Sequence, residues 1–316
     1  MIRESKPILD AADLARTVLR GRLFENEPMA RHVSWRAGGR AARAYASADL
    51  ADLQAFLRTR PDGERISFVG LGSNLLVRDG GFAGTVILMH TSHGAMRLDE
   101  DLVYADAGVA CPKVARFAAT RGREGAEFLA GVPGTMGGAL AMNAGCYGAE
   151  TWSFVERVDT VDRHGAVHAR TPKEFVTGYR HVALKGGALG TDEWFVGGWF
   201  AFPAGDGARA RERIRELLAQ RLATQPLSLP NAGSVFRNPP GDHAARLVEA
   251  CGLKGYSIGG ASISEQHANF IVNPGGKARA SEIEALIAHA HAAVLAKFGI
   301  DLVVEVHIIG DEVGSL

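Results

Sequence analysis

The chain has 316 residues, 47% of them hydrophobic and 22% charged, a balance typical of globular proteins that excludes a disordered or fibrous class. Its 35 Lys and Arg residues equal its 35 Asp and Glu residues, so no net charge attracts the whole molecule to nucleic acid or to an acidic membrane. Any bound anion must be held by a local site. Glycine is unusually frequent, at 39 residues, which indicates tight turns or close approach of the backbone to a ligand.

The N-terminal segment carries charges of both signs before Asp10, unlike a secretion signal, and no uncharged apolar run reaches the roughly 18 residues that span a bilayer. We therefore expect a cytoplasmic protein with no membrane partner. Its three cysteines, Cys111, Cys146 and Cys251, are odd in number and widely spaced, which favours reduced, unpaired thiols. A catalytic cysteine is the less favoured interpretation.

The predicted elements begin with a short helix over residues 10–20, within an N-terminal extension of residues 1–24. Between about residues 30 and 205, short β-branched or aromatic runs alternate with glycine and with two short helices. Strands and helices do not alternate regularly in this segment, so the pattern favours an α+β fold with mixed sheets. The predicted strands cover 66–69, 85–88, 154–158 and 194–202, and the predicted helices cover 50–57 and 114–120.

A domain boundary is predicted near residue 206, where a charged helix over 208–222 begins and two prolines follow it. The boundary divides the chain into a first domain, 25–205, and a smaller α+β domain, 206–316. The first domain is expected to contain two subdomains, about 25–90 and 91–205.

Within the smaller domain, Asp242 is expected to cap a helix that ends near Cys251, and Ser281 with Glu284 to form a capping box at the start of the next helix. Residues 269–273 and 302–309 are predicted strands.

Two glycine-rich loops are candidate ligand sites. The first follows the strand 66–69 and reads Gly70-Leu71-Gly72-Ser73-Asn74, where backbone N–H groups and two polar side chains could surround a pyrophosphate. The second has four glycines and one proline within residues 131–138, which describes a rigid surface for a flat or phosphorylated ligand. Each loop taken alone could equally be a tight turn or a close packing contact.

Three dispersed residues are candidates for chemistry. Arg180 follows a segment with a helical pattern, Ser234 lies in a glycine-containing loop, and Glu305 is expected in the last strand between two valines. A carboxylate flanked by apolar residues needs a partner, which a basic residue from another segment could supply. From the residues alone, an ordinary salt bridge explains this pattern as well as a reactive site does.

Taken in order, these motifs resemble the UDP-N-acetylmuramate dehydrogenase family, also called UDP-N-acetylenolpyruvoylglucosamine reductases. The resemblance covers about residues 25 to 310, and the order and spacing of the motifs are specific although each motif is modest. It rests on the two loops, Met142 to Gly145, Tyr179-Arg180, Ala232 to Pro239, Gly252 to Gly255, Gly259 to Ala261, His267-Ala268 and Glu305-Val306.

The resemblance implies an FAD-binding domain of the vanillyl-alcohol-oxidase type in two subdomains, followed by a smaller substrate-binding domain. It also implies an oxidoreductase in which FAD, bound non-covalently, takes hydride from the cosubstrate NADPH. Reduced flavin N5 then passes the hydride to the enolpyruvyl methylene carbon of UDP-N-acetylglucosamine-enolpyruvate, a cytoplasmic step of peptidoglycan precursor synthesis. The residues that match FAD contacts are Gly70, Leu71, Gly72, Ser73, Asn74, Gly131, Pro133, Gly134, Thr135, Gly138, Met142, Asn143 and Ala144.

By the same resemblance, Arg180 holds the substrate carboxylate and stabilises the intermediate, and Ser234 donates the proton. Glu305 lies on the same carboxylate, either protonated or paired with the arginine; the sequence leaves both states open. Further substrate contacts are predicted for Asn238, Gln225 and Tyr179.

Some features depart from the family pattern or place the chain within it. Val182 stands where many relatives have serine, so a secondary hydrogen bond near Arg180 is expected to be missing, with only indirect consequences for the site. Cys146 stands where many relatives have alanine, and we interpret this change as structural. The short spacing between Arg180 and Trp199 indicates the branch without an extra tyrosine-bearing loop. The expected partner is the small-molecule substrate, with no nucleic acid or membrane, and the expected state is a monomer.

Other classes explain the sequence less well. An oxidase of a small alcohol on the same scaffold is the nearest alternative, followed by a nucleotide-binding module without turnover. A serine hydrolase is not favoured, because Ala232 and Phe236 occupy the glycine positions of a nucleophile elbow. Zinc is not expected, because His289 and His291 are two apart on a predicted helix and cannot share a face.

Overall fold

The computed structural model describes residues 19–91 and 94–314, so the helix predicted over 10–20 lies almost wholly outside the described residues. Its helices are α1 (Leu50–Arg58), α2 (Cys111–Thr120), α3 (Met136–Met142), α4 (Gly207–Thr224), α5 (Ala244–Ala250) and α6 (Ala280–Phe298). Its strands are β1 (Arg22–Pro28), β2 (Arg40–Ala46), β3 (Ile66–Val69), β4 (Leu75–Val77), β5 (Phe82–Leu88), β6 (Met96–Asp99), β7 (Leu102–Asp106), β8 (Gly145–Cys146), β9 (Ala149–Glu150), β10 (Val155–Asp162), β11 (Val167–Arg170), β12 (Phe175–Gly178), β13 (His181–Leu184), β14 (Glu193–Phe200), β15 (Ser257–Ile258), β16 (Ala261–Ile263), β17 (Ile271–Val272) and β18 (His307–Ile309).

A mixed four-stranded sheet, in the order β1-β2-β5-β3, forms the first layer. β1 pairs antiparallel with β2, whereas β5 pairs parallel with both β2 and β3. Helix α1 begins where the Asp49 carboxylate accepts the Asp52 N–H, and its Phe56 ring stacks on Tyr45 of β2 at 3.8 Å. The predicted mixed sheet is present, and the first glycine loop leaves the end of β3.

A five-stranded antiparallel sheet, β11-β10-β14-β7-β6, forms the second layer. Every residue of β14 is buried, as its continuous apolar pattern predicts for a central strand. Helices α2 and α3 cover this sheet and share one apolar cluster with it, in which Val114 and Leu140 are fully buried.

The third layer contains the small sheet β15-β16-β17 and helices α5 and α6. Two contacts attach it to segments that connect the strands of the first sheet. β18 returns to pair parallel with β4, and the Trp35 indole donates to the Ile271 carbonyl at 2.7 Å. The chain therefore brings its last strand next to the first glycine loop, which is followed directly by β4.

Helix α4, predicted to open the smaller domain, packs on the preceding residues, where Ala210 and Ile214 belong to the same apolar cluster as α2. The predicted division of the chain at residue 206 stays a prediction. Among the described residues, no helix has the length and apolar character needed to cross a membrane.

Both predicted helix caps of the smaller domain are wrong. Helix α5 begins at Ala244, whose N–H is accepted by Asn238 Oδ1, while Asp242 binds Arg246 instead. The N–H groups of Ala280 and Ser281 at the start of α6 are accepted by Asp79, 201 residues or more away in the sequence. At the start of α6, the distant Asp79 carboxylate therefore adds to local capping by Glu282, which accepts the Arg279 N–H at 3.1 Å.

Candidate active site

The two glycine loops and the three dispersed residues line one cavity of about 550 Å³. The sequence-predicted residues that line it are Gly70, Leu71, Gly72, Ser73, Asn74, Gly131, Pro133, Gly134, Thr135, Gly138, Met142, Ala144, Arg180, Gln225, Ser234 and Glu305. Segments from every layer of the fold therefore contribute to a single site.

The first glycine loop is held by close contacts that exclude side chains. Gly72 has φ +59°, and a Cβ there would lie 2.1 Å from the His32 carbonyl oxygen. The Gly72 carbonyl accepts the Ser34 N–H at 3.0 Å. A Cβ on Gly70 would lie 2.3 Å from Thr135 Oγ1, so the first loop packs directly on the second.

Because the family resemblance implies that FAD contacts this loop, the Gly72→Ala variant should lose FAD and stability. A left-handed backbone costs a non-glycine residue about 1–2 kcal/mol, and the contact with His32 adds to that. We expect less flavin absorbance per protein and a lower midpoint of urea unfolding. Gly275→Ala is the control, because a Cβ there meets no atom within 4 Å. Full flavin content with unchanged unfolding would show that the loop tolerates a side chain.

The second loop leads into the N-terminus of α3. Thr135 caps this helix through its hydroxyl, and the Gly137 N–H donates to the Ala107 carbonyl at 2.8 Å. A Cβ on Gly131 would collide with Tyr147 and Cys146, whereas a Cβ on Gly138 would have Thr135 Oγ1, 3.8 Å away, as its nearest neighbour outside the helix backbone. Close packing against Tyr147 and Cys146 therefore requires glycine at position 131. At Gly138 no such contact is present, and its backbone lines the cavity.

These loops fit a flavin dinucleotide. They present glycine backbone, Ser73 and the first turn of α3, which suit a pyrophosphate, beside apolar lining from residues such as Val132 and Met142. Asn74 ties the loop to the rest of the site, because its Nδ2 donates to the Glu305 carbonyl at 3.2 Å and contacts Met142 Sδ at 3.5 Å.

Arg180 lies at the turn of the β12–β13 hairpin, not after a helix as the sequence pattern suggested, because residues 175–178 pair with 181–184. It has a left-handed backbone, with φ +53°. Its guanidinium donates to the Gly145 carbonyl at 2.6 Å, the Asn143 carbonyl at 3.3 Å and Glu305 Oε1 at 3.2 Å. The left-handed conformation is retained at a cost, as is common for residues in functional sites.

Buried Asn143 holds this hairpin in place. Its Nδ2 donates to the Gly178 carbonyl at 3.1 Å, and its Oδ1 accepts the Trp152 N–H at 3.1 Å. The side chain therefore positions Arg180 from behind the cavity and does not line it.

Glu305 precedes the last strand instead of lying within it, since strand pairing starts at His307. Its side chain is 11% exposed. Burial raises the pKa of Glu305, while the charges of Arg180 and Arg237 oppose that rise. The carboxyl group is thus poised to take up a proton more readily than an exposed glutamate does.

Ser234 is positioned by a clamp on the two residues that follow it. The backbone carbonyl and side chain of buried Asn269 accept the N–H groups of Val235 and Phe236, and the Val235 carbonyl accepts the Glu305 N–H at 2.7 Å. The loops that carry Ser234 and Glu305 are therefore joined by main-chain hydrogen bonds.

Two predicted substrate residues lie away from the cavity. Tyr179 is 48% exposed, with the Arg180 guanidinium over its ring at 5.0 Å, and Asn238 caps α5. The sequence analysis missed His307 and Arg221, which also line the cavity. Arg221 was hidden among the many arginines of a charged helix, and nothing in the sequence distinguished it.

Cys146 lines the cavity as part of β8. Its thiol donates to the Phe128 carbonyl at 3.0 Å, and burial raises the thiol pKa to about 11. The thiolate is therefore scarce near neutral pH, which supports the structural interpretation. Among the described residues, no group of three His, Cys, Asp or Glu side chains could hold a metal ion.

Comparison with known proteins decides the family. A family model described as UDP-N-acetylenolpyruvoylglucosamine reductase, C-terminal domain, matches residues 225–309, and one described as FAD binding domain matches residues 29–170. The UDP-N-acetylenolpyruvoylglucosamine reductase of Thiobacillus denitrificans is 59% identical over 93% of this chain and 94% of its own length. The chain belongs to the UDP-N-acetylenolpyruvoylglucosamine reductase family.

Other relatives agree with this assignment. The reductase of Legionella pneumophila is 51% identical over 93% of this chain and 94% of its own length. The crystal structure of the reductase from Thermus caldophilus, 29% identical, covers 92% of this chain and 99% of its own, with a TM-score of 0.75. The predicted family and α+β fold are confirmed.

Membership of the reductase family also settles the predicted activity and cofactor. The protein is an FAD-dependent oxidoreductase that reduces UDP-N-acetylglucosamine-enolpyruvate, with NADPH as cosubstrate, in peptidoglycan synthesis. It acts on a small molecule. The cytoplasmic location, the monomeric state and the absence of nucleic-acid or membrane partners stay predictions.

Proposed function

We propose that Arg180, Glu305 and Ser234 carry the chemistry of this reduction. The observation that supports them is the contact between Arg180 Nε and Glu305 Oε1, at 3.2 Å, inside the cavity that Ser234 and both glycine loops line. No other carboxylate of the described lining is available, because Glu193 is paired with Arg170.

The first glycine loop and residues 131–138 would hold FAD, with Met142 and Ala144 beside them. FAD, when bound, supplies the hydride that it has accepted from NADPH. The protein must then bind the enolpyruvyl carboxylate, stabilise negative charge that develops on it, and deliver one proton to the neighbouring carbon.

Arg180 would bind the substrate carboxylate. Two carbonyl oxygens and Glu305 fix the orientation of its planar guanidinium fork before substrate arrives. A fixed positive charge stabilises the developing negative charge without reorganisation during the reaction.

Glu305 would act as a neutral acid in the substrate complex. Burial already raises its pKa, and a substrate carboxylate held by Arg180 adds a second negative charge that raises it further. The protonated group can then donate a hydrogen bond to that carboxylate instead of repelling it.

Ser234 would donate the proton. A serine hydroxyl is a weak acid, so its alkoxide must be stabilised or reprotonated quickly. Arg237, which acts electrostatically on Glu305, is the nearby positive charge that can assist. Asn238 does not assist, because its side-chain oxygen caps α5.

Substrate binding should be accompanied by proton uptake. Because the pKa of Glu305 lies above its usual value of 4.5 and rises further in the complex, binding is favoured at lower pH and weakens as pH rises through that range. A pH-indicator dye in weak buffer measures the uptake when substrate is mixed with the oxidised holoenzyme. The Glu305→Gln variant should take up no proton, and Glu249→Gln, which changes an exposed side chain of α5, is the control. Equal uptake by all three proteins would contradict the role of Glu305.

A further inference from the structure

His267 lies in the loop that joins β16 to β17, and it is not among the residues that line the active-site cavity. Hydrogen bonds within the loop fix its shape. Ser264 Oγ accepts the N–H groups of Gln266 and His267 at 3.1 and 3.4 Å. The Ser264 N–H donates to the Phe270 carbonyl at 2.8 Å, and the Phe270 N–H donates to the His267 carbonyl at 3.0 Å. The loop is therefore closed on itself, with the His267 ring inside the turn.

The imidazole of His267 makes a contact that only its neutral form can make. Its Nδ1 accepts the Asn269 N–H at 3.3 Å. A backbone amide can only donate, so Nδ1 must offer a lone pair and the proton of the neutral ring is on Nε2. A protonated ring carries N–H on both nitrogens and cannot accept. Protonation of His267 therefore breaks its bond to Asn269.

Asn269 passes the position of this loop to the reactive groups. It is 4% exposed, and its backbone carbonyl accepts the Val235 N–H at 2.9 Å. Its side chain accepts the Phe236 N–H at 3.0 Å and donates to the Phe236 carbonyl at 2.8 Å. The Val235 carbonyl accepts the Glu305 N–H at 2.7 Å. A shift of Asn269 would therefore displace the segment that follows Ser234 and, with it, Glu305.

The surroundings of His267 favour its neutral form. Burial lowers the pKa of His267 below the usual 6.5, Lys254 lowers it further, and Glu249 opposes the shift. These two residues are the charged groups of the described chain that act on the ring, and they pair with each other at 2.9 Å. The other ring neighbour is apolar Phe270, edge-on with centroids 4.8 Å apart. The ring is therefore mostly neutral at pH 7 and is protonated in acid.

We propose that His267 is a positioning residue for proton donation, which holds Ser234 through Asn269 while its ring is neutral. The inference rests on the proposed function, in which Ser234 donates the proton. Reduction of the flavin by NADPH needs no proton from Ser234, so His267 acts on the second half-reaction alone. Reoxidation by the enolpyruvyl substrate should be fast above the pKa of His267 and should slow as pH falls through it.

The test measures both half-reactions of the holoenzyme by stopped-flow absorbance, from about pH 8 to about pH 5, for the wild type and for His267→Asn. An asparagine oxygen can accept the N–H two residues on, as in an Asx turn, and does not titrate. Wild-type reoxidation at saturating substrate should slow about 10-fold across this range. His267→Asn should match the wild type at high pH and lose this decrease. Titration of Glu305 is common to both proteins and does not produce the difference.

A second variant removes the acceptor at every pH. His267→Phe keeps a ring in the turn but cannot accept the Asn269 N–H, so its reoxidation should be about 10-fold slower even at high pH. Its flavin content and its reduction by NADPH should match the wild type. His289→Asn is the matched control, because His289 is an exposed histidine of the same layer, stacked on Tyr256. Both of its pH profiles should be those of the wild type.

Three results would overturn the inference. They are an acid-side decrease in His267→Asn equal to that of the wild type, normal reoxidation of His267→Phe, and equal slowing of both half-reactions in either variant. If His267→Phe does not fold, the pH profile of His267→Asn decides.

Failure of this inference can be separated from failure of the proposed function. If Ser234→Ala is reoxidised like the wild type, the proton donor is wrong and His267 has no donor to position. If Ser234→Ala is slow while both His267 variants behave like the wild type, Ser234 remains the donor and only the role of His267 fails.

Discussion

Replacing Ser234 by alanine should slow the reoxidation of reduced enzyme by the enolpyruvyl substrate about 10²–10⁴-fold, the usual effect of losing a general acid. Reduction of the same enzyme by NADPH should remain near normal, because that half-reaction needs no proton from Ser234. Stopped-flow absorbance at the flavin bands measures the two rates separately. The main-chain clamp from Asn269 does not involve the serine hydroxyl, so the loop should keep its position in the variant.

The control for this experiment is Ser257→Ala, which removes an exposed hydroxyl that donates to the Gly255 carbonyl in the third layer. Both of its half-reactions should match the wild type. Equal damage to the two half-reactions in Ser234→Ala would show that the serine supports the site structurally and would reject it as the proton donor.

Arg180→Lys should lower the rate of substrate reduction by about 10²-fold although the charge is kept. A lysine ammonium cannot reproduce the planar fork that donates to Gly145 and Asn143 and contacts Glu305. The loss should fall on the step in which charge develops, so kcat should fall, not only the affinity for substrate.

A matched control is Arg163→Lys, which changes an arginine paired with Asp192 outside the cavity. Its kinetics should be unchanged. If Arg180→Lys also turns over like the wild type, the arginine holds the hairpin in place and takes no part in charge stabilisation.

Elements with strong local signals were predicted well. The strand 66–69, the helix starting at residue 50 and the fully apolar strand near 194–200 appear where the periodicity placed them. The two glycine loops were also found from sequence, because close backbone packing, as at Gly70 against Thr135, admits no other residue.

Features that depend on distant residues could not be read from the sequence. Arg180 lies in a hairpin because β12 and β13 pair, while the local pattern suggested a helix. Asp79 accepts two N–H groups at the start of α6, and no sequence motif near that helix indicates this contact. The isolation of Arg221 from every carboxylate of the described chain is likewise a property of the folded molecule.

The central claim is that flavin bound in this cavity passes hydride from NADPH to the enolpyruvyl substrate, and an anaerobic visible spectrum of the purified protein tests it most directly. Flavin bands should be present, bleach with one equivalent of NADPH, and return when UDP-N-acetylglucosamine-enolpyruvate is added. A protein that bleaches with NADPH but is not reoxidised by that substrate would contradict the account, and a protein that binds no flavin would contradict the assignment of both glycine loops.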